Sequence, residues 1–160
     1  MENKNILVLD LETQKSFKEI GKSKVDSLAK LKISVVGLYD YMTDQYRTYE
    51  EREMMELGKR LQAADIIGFN IRRFDFPVLA PYLLFPVERL PVLDLLDDIE
   101  KARGHRASLD SVARATIKQG KSGDGAEALV LFKEGRMDEL KKYCLDDVRL
   151  TKEVYEFGCR

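Results

Sequence analysis

Ile6-Leu7-Val8-Leu9-Asp10-Leu11-Glu12 is a continuous apolar run that closes on two carboxylates at i and i+2. Strand side chains alternate faces, so Asp10 and Glu12 share one face and Leu11 takes the other. An apolar run without alternation is the mark of a central strand covered on both sides. Such a strand holds its acids against a rigid sheet. The bland alternative is a strand that runs out into a polar turn.

Two further segments carry acids in defined settings. Asp65 to Leu79 predicts a short buried strand at Ile66 to Phe69, a polar link, and a helix beginning near Asp75. Pro77 suits a first helical turn, where its missing N–H costs nothing. Pro81 opposes the turn before it, which predicts a kink or an early stop. Asp75 itself is a natural helix cap, a role compatible with metal binding. Met137 to Leu150 is helical by the spacing of Leu140, Cys144 and Val148. On that helix Tyr143 and Asp147 stand at i and i+4, one above the other, so a phenol and a carboxylate reach the same small volume. Taken alone, Tyr143 reads as an amphipathic side chain at the core edge and Asp147 as a solvated acid.

The intervening chain supplies the rest of an α/β pattern. Leu31 to Tyr39 and Gln45 to Tyr49 predict two strands of an antiparallel meander, and Leu90 to Leu95 a further short one. Glu51 to Gln62 carries Met54, Leu57 and Leu61 at helical spacing, a core face. Asp94 is expected to cap the helix after the last strand, with a supporting role near the acids as the alternative. Ser108 is expected to cap a helix with Leu109, Val112, Ala113 and Ile117 on one face. Gln119 to Gly125 contains Gly-Lys-Ser, yet the earlier glycine of a phosphate loop falls at Ala115 and no strand precedes it. It is expected to be a flexible loop framing a groove, ahead of a helix near Ala126 to Lys133.

The chain has 160 residues, suited to one domain over 1–160 with a sound core. No apolar stretch is long enough for a bilayer, and neither a leader nor an anchor is read ahead of the first strand. Cys144 and Cys159 form no disulfide framework or metal spacing, which points to a reducing cytoplasm. Net charge is −1, from 27 basic and 28 acidic residues, so no global basic field announces nucleic acid. Local basic groups stand at Arg72, Arg73, Lys101, Arg103 and Arg106. Of these, Arg72 and Arg73 are the better candidates for phosphate contact, and Phe74 or Phe76 offers a ring for stacking on a base, with core packing as the competing role.

In order along the chain, from Ile6 to about Phe157, these segments resemble the DEDD superfamily of 3′-5′ exonucleases. The first motif of that family, Asp-x-Glu after an apolar strand, matches Asp10-Leu11-Glu12. The second, Asn-x(3)-Phe-Asp, matches Asn70-Ile71-Arg72-Arg73-Phe74-Asp75. The third, Tyr-x(3)-Asp, matches Tyr143 to Asp147 and marks the tyrosine subclass; the histidine subclass needs a histidine there, and the only one is His105. More narrowly, the chain resembles predicted bacterial exonucleases related to the proofreading domain of family B DNA polymerases.

The resemblance implies an RNase H-like α/β fold, here with five candidate strands in a mixed sheet and helices on both faces. It implies two Mg²⁺ or Mn²⁺ ions and stepwise hydrolysis of DNA or RNA from the 3′ end, releasing nucleoside monophosphates. Asp10 would bridge both ions, Glu12 and Asp147 would hold the first, Asp75 the second largely through water, and Tyr143 would orient the attacking water. The chemistry is coherent: two cations about 4 Å apart stabilise both the attacking and the leaving oxygen, and hard oxygen donors favour such ions. An endonuclease on the same fold and a non-catalytic nucleic-acid-binding module are the rival readings. Asn70, Arg72, Arg73 and Phe74 would face the substrate.

Overall fold

The Ile6–Leu11 run lies in the middle strand of a five-stranded mixed sheet. The computed structural model describes residues 4–21 and 25–160, so the segment ahead of the first strand lies partly outside the described residues. Strand β1 (Asn5–Thr13) leads into the short helix α1 (Phe17–Ile20), capped by Ser16. Strands β2 (Ile33–Asp40) and β3 (Gln45–Glu50) complete the expected antiparallel meander. Helix α2 (Met54–Gln62) crosses to β4 (Ala64–Gly68), which runs parallel to β1 on its other side. A short helix α3 (Phe76–Leu79) precedes β5 (Val92–Asp94), parallel to β4. Four helices follow: α4 (Leu95–Arg103), α5 (Leu109–Thr116), α6 (Gly125–Lys133) and α7 (Met137–Gly158).

Both faces of β1 are covered, as its unbroken apolar run requires. Leu7, Leu9 and Leu11 pack with Leu57 and Leu61 of α2 and with Val78 and Leu79 of α3. Val8, on the opposite face, packs with Tyr39, Ile67, Val112 and Val148. Leu140 and Cys144 of α7 and Ala128 and Leu131 of α6 close over Val35 at the end of that face. Asp10 and Glu12 therefore emerge from the α7 side.

Several boundaries differ from the sequence expectations. β1 runs on past its acids to Thr13, with an irregular register between Glu12 and Thr13. Leu31 closes a 3₁₀ turn, and its strand starts at Ile33. β4 stops at Gly68, where the chain turns so tightly that a Cβ would stand 2.7 Å from the Ile71 Cβ. A π-helical turn, Ile71–Asp75, fills the space before α3. Asp75 is not a cap: its own backbone is helical (φ −62, ψ −46) and its side chain makes no capping bond. Past α3 the chain passes into the 3₁₀ turn Ala80–Tyr82, the early stop expected at Pro81. Ser108 caps α5 by accepting from the Ser111 amide.

Helix α7 sits unusually close to the sheet at Gly37, the residue paired with Asp10 across β1 and β2. A Cβ at Gly37 would meet Val148 Cγ2 at 2.9 Å and Cys144 Sγ at 3.0 Å. Gly37→Val is expected to destabilise the fold by about 1–3 kcal/mol through overpacking, read as a lower denaturation midpoint. An unchanged midpoint would show that α7 is not seated on Gly37.

Candidate metal centre

Each acid arrives from a different part of this frame. Asp10 and Glu12 project from β1 toward α7, opposite Gly37 and Val35 of β2. The Cys144 thiol donates to the Asp10 carbonyl oxygen at 3.6 Å, which ties the middle of α7 to the acidic end of β1. Potential ligand atoms of Asp10, Glu12 and Cys144 all lie within 4.8 Å of one another. One turn along α7, Asp147 is 4% exposed and Tyr143 5%, so neither is the solvated or edge residue that its local sequence suggests. The π-helical turn drives Asp75 inward until 3% of it is exposed.

Asp75 and Asp147 lie outside that 4.8 Å group among the described residues, but charge links them to it. Burial first, then the Asp147 charge, pushes the Asp10 carboxyl well above the usual carboxylate range. Glu12 is raised by burial and then by Asp10 and Asp147. Asp75 is raised by burial and then by Asp10 and Glu12. Asp147 is also raised by burial, with Lys121 pulling the other way. Burial and the charges of Glu12, Asp147 and Asp10 push the Tyr143 phenol up as well, so at neutral pH it is an O–H and not a base.

Asp10 Oδ2, Asp75 Oδ1 and the Tyr143 hydroxyl are enclosed without a hydrogen-bond partner among the described residues. Enclosed polar atoms are ordinarily satisfied, and an orphan is costly. Two carboxylates about 4 Å apart repel by about 4 kcal/mol at an effective dielectric near 20. A cluster of hard oxygen donors in which Asp10 and Asp75 each keep an unpartnered oxygen fits a hard divalent cation, which Asp10, Glu12, Asp75 and Asp147 would hold.

A cavity of about 320 Å³ opens over the cluster, and Asp10, Glu12, Asp147, Lys121, Phe17 and Phe74 contribute to its wall. Phe74 is half-buried, with its ring 6.1 Å from that of Phe17; Phe76 is buried in the core. Asn70, Arg72 and Arg73 lie outside that wall. Asn70 turns the chain in the left-handed region (φ 61), and its side chain accepts from Arg106 at 2.8 Å. Arg72 and Arg73 are half exposed and face Asp97 and Glu100 of α4 at 3.1–3.7 Å.

Two residues matter more here than their sequence setting foretold. Asp94 caps α4 through the Leu96 amide, as expected, but it also accepts from the Asn70 and Arg72 amides at 2.8 and 3.0 Å. It thereby fixes the turn that delivers Asp75. Lys121, from the loop rejected as a phosphate loop, places its ammonium 2.6 Å from Asp147 Oδ2. The one hint in the sequence was a lysine amid glycines ahead of the Tyr-x(3)-Asp helix.

An acid cluster on the central strands of a mixed sheet, closed by a C-terminal helix, defines a protein of the RNase H-like α/β class. The chain belongs to the RNase H superfamily, whose sequence model matches residues 7–157. Among solved structures its fold is similar to that of RNase D from Trypanosoma brucei, with a TM-score of 0.69 at 15% sequence identity. That match covers 95% of this chain and 56% of the RNase D chain, so this chain spans little more than half of that protein's length. No curated protein sequence matches the chain.

Carboxyls raised in the folded state bind protons that the unfolded chain releases. Their stabilising contribution is full below the ordinary carboxylate pKa, 3.8 for Asp10, and is lost as pH rises through the raised folded values. In EDTA, Asp10→Asn is therefore expected to gain stability relative to wild type as pH increases from 5 to 8, because one of the crowded charges is gone. Parallel melting curves for the two proteins across that range would show that the carboxyls are not crowded.

Proposed function

We propose that this chain, as one domain over residues 1–160, is a metal-dependent 3′-5′ exonuclease of the tyrosine DEDD type. The observation that carries the reading is the set of buried, raised carboxyls of Asp10, Glu12, Asp75 and Asp147, with unpartnered oxygens on Asp10 and Asp75, together with the enclosed Tyr143 hydroxyl. Membership of the RNase H superfamily and the likeness in fold to RNase D support a nuclease. Two Mg²⁺ or Mn²⁺ ions held by these acids would activate water and stabilise the leaving oxygen.

The chain's own residues supply position. Asp10, rooted on the central strand, together with Glu12, Asp75 and Asp147, would hold the ions. Tyr143 donates its hydroxyl and orients the water, a role that its raised pKa favours over proton abstraction. Phe17 and Phe74 flank the cavity and present rings to an unstacked terminal base. Asn70, Arg72 and Arg73, which lie outside the cavity wall, are the candidates for contact with the substrate backbone. Among the described residues no helix is long and apolar enough to cross a membrane. With both cysteines free, a cytoplasmic setting is the one proposed.

The test offers 3′-blocked and unblocked DNA and RNA oligonucleotides, and a circular single strand, with Mn²⁺ or Mg²⁺. Unblocked linear strands are expected to be degraded to mononucleotides while the circle survives. Asp147→Asn should lose more than about 100-fold in rate, and Tyr143→Phe about 10–100-fold with its metal-induced thermal shift intact. A nicked circle would favour the endonuclease reading. Binding without turnover would favour a module that has lost catalysis, and full activity in Asp147→Asn would discard the assigned site.

A further inference from the structure

Lys121 has no place in the Asp, Glu and Tyr pattern, yet it is built into the site. Its ammonium contacts Asp147 Oδ2 at 2.6 Å, stands 6.0 Å from the centre of the Tyr143 ring, and lines the same cavity as Asp10 and Glu12. Asp147 is nearly enclosed, so this pair is not one of the screened surface pairs that contribute little. The same lysine is the cation felt by Asp10, Glu12 and Asp147 alike. Burial alone would lower its pKa, but the pull of Asp147, Asp10 and Glu12 outweighs burial and keeps it charged.

The backbone beneath Lys121 is anchored in a way that aims the side chain. Asp110 of α5 accepts from the Lys121 amide at 2.8 Å and, through its other oxygen, from Arg114 Nε at 2.8 Å. The adjoining Gly120 lies so close to α5 that a Cβ would stand 2.6 Å from the Arg114 guanidinium and 2.8 Å from Asp110. Only the four-carbon stem of the lysine is free to move, and that stem is flexible.

The geometry points to Lys121 as a resident counter-cation of the carboxylate cluster, one that neutralises Asp147 in the metal-free protein and competes with a divalent ion for it. The inference rests on the metal-dependent reading above. A divalent ion of this class binds carboxylate oxygens at about 2.0–2.1 Å. An ion on the oxygen that already holds the ammonium at 2.6 Å would stand only about 4 Å from a second positive charge, a separation at which two cations in a partly enclosed site repel strongly, so the ion and the ammonium compete for Asp147. Lys121 thus lets the protein fold with its acids together before any ion arrives, and sets a threshold that the ion must exceed.

The test is calorimetric titration of Mn²⁺ into metal-free protein, with melting curves in EDTA. Lys121→Met, which keeps the stem and removes the charge, is expected to bind Mn²⁺ about tenfold more tightly than wild type and to melt lower in EDTA. Lys121→Arg keeps a cation and should stay within about twofold of wild-type affinity. Should Lys121→Met fail to fold without metal, Asp110→Ala carries the test: with the anchor loosened, Mn²⁺ should bind about threefold more tightly. Equal Mn²⁺ affinity in wild type and in whichever of these two variants folds would overturn the counter-cation role and leave the metal centre standing. A wild type that binds no Mn²⁺ would overturn both.

Discussion

The whole arrangement depends on how closely α7 approaches the sheet at Gly37. Gly37 pairs with Asp10, and its missing side chain leaves room for Val148 and Cys144 to rest on the strand backbone. With the Cys144 thiol against the Asp10 carbonyl, the helix has little freedom to slide or rotate. Helical periodicity then carries Tyr143 and Asp147 to the same side, and strand periodicity brings Asp10 and Glu12 to meet them. A bulkier residue at that single strand position would lift the helix and separate the acids, although none of them would have changed.

Gathering four acids works against folding, so the stabilisation comes from elsewhere. The two-sided core around β1 provides it, with Leu7, Val8 and Leu9 at 0–1% exposure and partners from α2, α3, α5 and α7. At about 25 cal/mol per Å² of apolar surface, one buried leucine contributes on the scale of one carboxylate repulsion, and the core holds many. The sheet is rigid enough to keep the acids in place against their repulsion. On the proposed metal-dependent reading, that crowding is what a cation would relieve.

Patterns set by local periodicity are legible in the sequence itself. The acid-terminated central strand, the antiparallel meander, the buried stripe Leu140, Cys144 and Val148, and the stop at Pro81 all follow from alternation, spacing and proline geometry. What local pattern alone left open, and for Asp75, Tyr143 and Asp147 only the family resemblance supplied, depends on contacts between distant residues. Asp75 has every local attribute of a cap, yet a π-helical turn held by Asp94 turns it inward. Tyr143 and Asp147 look like surface residues until α6 and the sheet enclose them. Lys121 carries no signal beyond its type, because its meaning lies in Asp147, which is 26 positions away in sequence and adjacent in space.

The near-neutral charge of the chain bears on how a polyanion could be held at all. Arg72, Arg73 and Arg106 are already paired with Asp97 and Glu100, at side-chain exposures of 44–53% for the arginines. Pairs this exposed are worth about 0–1 kcal/mol each, so exchanging a carboxylate for a substrate phosphate loses little. The carboxylates keep the surface from acting as a general trap for nucleic acid, while the bidentate geometry of arginine still suits a phosphate that is otherwise positioned. On the proposed reading, such a surface would give weak, short-range contact and leave most of the recognition to the acid cluster and the rings beside it. On the proposed exonuclease reading, that distribution suits brief contact with a chain end better than the coating of long strands.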